Sequence, residues 1–367
     1  MFNRNKLEEW YEGKKTECDI SECGMVDTIN FIQLLEFDKL RKINDILDYG
    51  NSNGDDYLID TISRIYNCNH ENILITNGAS EAMFIVLLAL CDGHSKVTCQ
   101  FPYYNNLEVF LKKIGCAVNR FELIADSHFK FDFEKFKRVF NDDSDIAILN
   151  FPNNPTGSEL NDNNYADIIK YSEFFHKIII FDEVTALSVG KTYIEENICN
   201  HLNNCICINS MSKAYGIPGL RVGWIVANKM IIKECRAIKE LISICTPLLL
   251  QKIALNTLKY RDFIINKNKQ IVTRNIYSLT KQFNCCNSFF TINCIPKYCS
   301  CCFVKIPDTI KSYEFCSKLY EISKVLITPG ECFGVEGYLR LGLGINPSSF
   351  DISMNKIMTF INMYYKL

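Results

Sequence analysis

The chain has 367 residues, of which 48% are hydrophobic, and a formal net charge of −2. A chain of that length buries about three quarters of its unfolded surface, enough for one large domain with a smaller one attached. The near-neutral balance provides no basic face for nucleic acid or anionic lipid, and no run approaches the ~20 apolar residues that span a bilayer.

The opening "MFNRNKLEEWYEG" carries charges of both signs and no apolar centre, so no secretory signal is expected and the chain reads as cytoplasmic. Residues 1–45 show no strong pattern. From residue 72 onward, short apolar runs alternate with amphipathic ones. "NILITN" (72–77) reads as a strand, "ASEAMFIVLLALC" as a helix, "KVTCQF" as a strand, and "NNLEVFLKKIG" as a helix capped by Gly115. Further strand-like runs cover 146–152, 177–183, 204–210 and 221–227. Apolar runs bounded by turns and separated by helices predict an α/β fold with a mostly parallel sheet.

From about residue 229 the character changes. One helical stretch is expected from Lys229 to Arg274. "CCFVKIP", a helix near 310–321, "VLITPG", "YLRLGLGI" and a C-terminal helix from Phe350 then suggest a smaller α+β domain. The expected division is 46–250 for the large domain, with 1–45 and 251–367 forming the small one.

The nineteen cysteines raise the question of metal. "YCSCCF" (Cys299, Cys301, Cys302) and "NCICI" (Cys205, Cys207) lack paired CxxC spacing and nearby histidines. Both lie in strand-like runs and read as core filler, so no metal site is expected.

Ligands of parallel α/β sheets bind at the carboxyl ends of the strands, so the residues just after each strand matter most. Gly78, Ala79 and Ser80 open a helix, which offers free N–H groups to an anion; an Asn-Gly turn capped by Ser80 is the plainer reading. Tyr103 and Tyr104 come after Pro102, as a stacking face or as core. Asn154 lies in "NFPNNPTG", a loop that is at least a turn. Asp182 ends an apolar run, where a carboxylate needs a partner. Lys213 sits in "CINSMSKAYGIPGLRVGW" with Ser210, Ser212 and Arg221. Together these residues suit a phosphorylated, aromatic, cationic aldehyde held as an imine, which describes pyridoxal phosphate.

With these residues in place, the sequence resembles the fold-type-I pyridoxal-phosphate enzymes of the class I/II aminotransferase family. The likeness rests on S-x-S-K-x7-R around Lys213, on "NPTG", on "DE" at Asp182, and on "PYYNNLEVFLKKIG". It implies an aspartate aminotransferase-like fold, with a seven-stranded, mostly parallel sheet between helices and a smaller α+β domain. It implies pyridoxal 5'-phosphate in a Schiff base with Lys213, Asp182 on the ring nitrogen, Asn154 on the ring oxygen and Tyr104 stacked on the ring. Gly78, Ala79, Ser80, Ser210, Ser212 and Arg221 would surround the phosphate. "YLRLGLG" implies that Arg340 binds the substrate α-carboxylate, with Asn154 beside it. "YGNSNG" implies that Tyr49 reaches the phosphate of a neighbouring subunit, and so a homodimer.

The implied reaction is transamination of an L-amino acid. One departure bears on it. The family pattern has a tyrosine three residues after the aspartate, and here Thr185 stands on a shorter arm. The run "LEEWYEGKKTECDISECG" also resembles the start of capreomycidine synthase-like members, which eliminate at Cβ and cyclise an arginine derivative. Elimination, cyclisation or oxidation of a specialised, arginine-derived amino acid is therefore the alternative expectation.

Overall fold

A computed structural model describes residues 4–26, 48–104, 107–141, 144–187, 192–284 and 289–365. Its centre is a seven-stranded sheet of β2 (Ile73–Thr76), β3 (Lys96–Phe101), β4 (Ala117–Glu122), β5 (Ile146–Asn150), β6 (Ile178–Asp182), β7 (Cys205–Ser210) and β8 (Gly223–Val226). The strand order is β2-β8-β7-β6-β5-β3-β4. Only β8 runs against its neighbours; the pairs from β7 through to β4 are parallel.

The continuous apolar runs are explained by burial on both faces. Ile73, Ile75, Ile179, Phe181, Cys205 and Cys207 belong to one buried cluster, whereas Leu74, Ile180, Ile206 and Ile208 belong to another. This is the two-residue period of a strand with a core on each side. Helices Ala79–Leu90 and Lys229–Ile242 pack together over the second face. Cys205 and Cys207 are core residues, as the strand reading expects.

A smaller antiparallel sheet has the order β12-β13-β10-β9, from β9 (Thr291–Ile292), β10 (Cys301–Lys305), β12 (Thr328–Pro329) and β13 (Tyr338–Gly342). Helices Ser312–Ser323 and Pro347–Tyr365 pack against each other beside it. Among residues 1–45, the described part begins with a short helix, Lys6–Tyr11, and continues in β1 (Cys18–Asp19), which pairs with β11 (Val325–Leu326). This part packs on the smaller sheet's elements.

Two expectations need adjusting. The single helix over 229–274 is three helices, Lys229–Ile242, Leu248–Leu258 and Arg261–Asn284. The first break contains Ile244 at φ 61° and Pro247. A β-branched residue in that left-handed region does not continue a helix, and Pro247 cannot supply an interior N–H. Strand β4 adds to the expected strands; its exposed positions hide the apolar pattern.

Candidate active site

The carboxyl ends of β2, β3, β5, β6 and β7 share one edge of the large sheet, and antiparallel β8 starts there. Gly223 of β8 pairs with both Ser210 and Thr76. That register brings three distant segments together. A Cβ on Gly223 would stand 2.7 Å from the Gly78 carbonyl carbon and 2.8 Å from the Ala79 nitrogen. Only a glycine permits this approach. Gly78 has φ 87°, and a Cβ there would stand 2.5 Å from Arg221 Nη2. The Arg221 guanidinium therefore closes over the N-terminus of helix Ala79–Leu90. That helix has no side-chain cap from Gly78, so its first N–H groups remain free for a ligand. Ser210 and Ser212 are buried at the neighbouring strand end, with the Ser212 N–H donating to Ser210 Oγ. A cation, hydroxyls and a helix N-terminus around one small space suit a phosphate.

Asp182 is buried at the end of β6. Its carboxylate accepts from the Val184 N–H at 3.1 Å and from the Tyr103 hydroxyl at 2.7 Å. Burial pushes its carboxyl up to about 6, against the hydrogen bond from Tyr103. A cationic ring nitrogen would favour the ionised form and lower that value again. Tyr104 is half-buried, bonded to Ser80, and lies in the fields of Asp182 and Lys213. The aromatic ring expected over the cofactor thus sits between the phosphate nest and the aspartate. Tyr103 binds the carboxylate directly, a role that its place in the sequence does not mark.

Lys213 projects from the segment after β7. Burial lowers its ammonium's pKa, but Cys23 and Glu22 more than offset this and hold it above its ordinary value. Its Nζ lies 3.3 Å from Glu22 Oε2. On the far side, Arg340 of β13 is 1% exposed. Its Nη1 donates to Asn154 Oδ1 at 2.9 Å, and its Nη2 to the Ser21 carbonyl at 2.6 Å and to Tyr11. Asn154 Nδ2 in turn donates to Cys23 Sγ at 3.1 Å. Lys213, Asn154, Arg340, Asp182 and Tyr104 therefore surround one space. Tyr49 stands apart from it, 78% exposed on this chain.

The N-terminal segment is the part of the site in which sequence reasoning named no residue. Tyr11, Ser21, Glu22, Cys23 and Gly24 reach it through backbone packing. The Met25 N–H donates to the Lys213 carbonyl, and the Gly342 N–H to the Ile20 carbonyl. A Cβ on Gly342 would stand 1.9 Å from the Glu22 carbonyl oxygen, and one on Gly344 2.2 Å from that of Gly24. Alternate glycines in "LGLG" were the available signal, because a glycine inside a strand marks a close backbone approach. Nothing comparable marks Glu22 or Cys23. Cys299 and Cys301 are buried as expected, yet they cluster with Cys23 at the site's edge. A hydrogen bond from Cys301 lowers the Cys23 thiol's pKa against the effect of burial. Among the described residues no group of side chains could hold a metal ion, and no helix is long and apolar enough to cross a membrane.

The Thr185 hydroxyl donates to the Pro152 carbonyl. It is 3% exposed.

Comparisons with known proteins agree with this fold. The sequence profile of the family described as aminotransferase class I and II matches residues 29–357. Capreomycidine synthase of Streptomyces vinaceus is 23% identical over 345 residues, covering 92% of this chain and 88% of that protein. A PLP-dependent aminotransferase from Streptococcus suis superposes with a TM-score of 0.91 at 24% identity, covering 100% of this chain and 99% of its own. The PLP-dependent cyclase OrfR superposes with a TM-score of 0.88 at 22% identity, over 99% and 98% of the two chains.

Proposed function

This chain belongs to the class I and II aminotransferase family, a fold-type-I pyridoxal-phosphate family, and on that premise we propose that it is an aminotransferase acting on an L-amino acid. The observation that carries this reading is Arg340 bonded to Asn154 in the space that Lys213 enters. One Nη1 hydrogen of Arg340 has no acceptor among the described residues, and an α-carboxylate is a natural partner for it.

Bound pyridoxal phosphate would supply the electron sink that makes a Cα–H bond acidic. The chain's residues supply the rest. Lys213 would hold the cofactor through its Nζ and, with a substrate amine in its place, would take the Cα proton at that atom. Asp182 would favour a protonated ring nitrogen, and Asn154 would donate to the ring oxygen. Tyr104 would cover the ring face. Gly78, Ala79, Ser80, Ser210, Ser212 and Arg221 would hold the phosphate. Arg340 orients the α-carboxylate, so that the Cα–H bond points at Lys213. In a homodimer, Tyr49 of each subunit completes the phosphate site of the other.

A second reading has its own support. Thr185 spends its hydroxyl on Pro152, so it offers no donor to the ring oxygen. Elimination with ring closure, or oxidation, of a specialised amino acid is the reaction class this departure favours.

One experiment separates the two. The cofactor-loaded protein is titrated with single amino acids and products are identified by mass. Release of a keto acid with the cofactor left in its amine form supports the aminotransferase. A product that has lost water, closed a ring or consumed oxygen overturns it in favour of the second reading. If no amino acid alters the cofactor's absorbance, both fail.

A further inference from the structure

Glu22 has no role in the proposed chemistry, yet its carboxylate faces the reactive lysine. Its Oε2 lies 3.3 Å from Lys213 Nζ, and this is its one ion pair among the described residues. The side chain is 43% exposed, whereas Arg340 on the other side of the same space is 1% exposed. Glu22 therefore occupies the open side of the site and Arg340 its floor. Burial acts to raise the Glu22 carboxyl, but Lys213 and Arg340 outweigh it and favour the ionised form.

The arrangement would become unbalanced if Lys213 held the cofactor, because its nitrogen would no longer offer Glu22 a free ammonium. Arg340 makes no ion pair with Glu22 among the described residues; its hydrogen bonds go to Ser21, Asn154, Tyr11 and Thr328. Glu22 is left as a carboxylate at the mouth of the site without an ion-pair partner. An unpaired anion there also favours the protonated form of any amine beside it. That opposes the use of Lys213 as a base. A second positive charge, arriving with the substrate, removes both problems.

We propose that Glu22 is a specificity-determining residue that receives a cationic side chain, ammonium or guanidinium, of the amino-acid substrate. This rests on the reading of the site as one that binds an amino acid by its α-carboxylate at Arg340. Neutral side chains leave the carboxylate unmatched, and acidic ones are repelled. Charge discrimination of this kind is substantial where one group is partly withdrawn from water.

The test uses the cofactor-loaded enzyme and matched pairs of amino acids: arginine against citrulline, ornithine against norvaline, with glutamate as the acidic member. Cofactor absorbance reports binding and kcat/KM reports turnover. Wild type is expected to favour the cationic member of each pair by at least about 30-fold. Glu22→Gln is expected to bring each ratio within about threefold, and Glu22→Lys to move the preference towards glutamate. Equal use of both members by wild type overturns the inference, and this arm needs no variant to fold. A preference that survives in Glu22→Gln overturns it as well. If no amino acid, neutral, acidic or cationic, perturbs the cofactor, the reading of the site fails and takes the inference with it. A normal response with no charge preference removes the inference alone.

Discussion

The carboxyl edge of the large sheet and the N-terminal segment Tyr11–Met25 meet at one site but are built differently. The edge is a set of strand ends in fixed register. Asp182, Ser210 and Gly223 occupy positions set by backbone ladders, and each lies beside a recognisable turn. The N-terminal segment contributes only β1, two residues long, to any sheet. Its place is set by packing against Gly342 and Gly344 and by the demands of Arg340. The rigid side suits covalent chemistry, where small displacements are costly. The packed segment supplies carbonyls, a thiol and a carboxylate that face Lys213, Asn154 and Arg340.

The largest effect is expected at the rigid side. Lys213→Ala should lower kcat by about 10²–10⁴-fold or more, and abolish the absorbance of the lysine-bound cofactor. Loss of activity with that absorbance retained would show that another lysine holds the cofactor.

Beneath the same edge, Glu183 is buried and its carboxyl is pushed up to about 8, chiefly by burial and then by Glu195. Between its ordinary 4.5 and that value, the unfolded chain has lost a proton that the folded chain keeps. Stability contributed by this group is therefore present below about 4.5 and falls as pH rises towards 8. Each unit is worth roughly 1.4 kcal/mol, so the sum is several kcal/mol. Glu183→Gln should flatten the fall in Tm between pH 5 and pH 8 in protein free of cofactor. Parallel Tm curves for the two proteins would contradict this.

Gly342→Ala acts on the packed segment. The new methyl must displace the Glu22 carbonyl, which shifts the Ser21 carbonyl that orients Arg340. A cost of about 1–3 kcal/mol in stability is expected, with KM for the amino acid raised by about tenfold or more and kcat changed less. An equal loss in both would place the segment in the chemical step rather than in substrate binding.

The smallest effect is expected from Thr185→Val, which removes one buried hydrogen bond to Pro152, worth about 1 kcal/mol. Product identity should be unchanged. A new product from this variant would show that the hydroxyl takes part in the reaction.

The sequence by itself determined the sheet and which residues stand along its edge. Apolar runs specify strands buried on both faces, and the residues after each run fall at strand ends whatever the rest of the chain does. Lys213, Asp182, Asn154, Gly78 and Arg221 were legible for that reason. So was Arg340, through "YLRLGLG". Tertiary structure alone decided that Tyr103 rather than Tyr104 binds Asp182, that Cys23 meets Asn154, and that Glu22 faces Lys213. It also broke the expected long helix at Ile244. These contacts join residues far apart in the chain, by up to 191 positions for Glu22 and Lys213. No local period encodes them; those of the N-terminal segment depend on how closely two glycines let one backbone approach another.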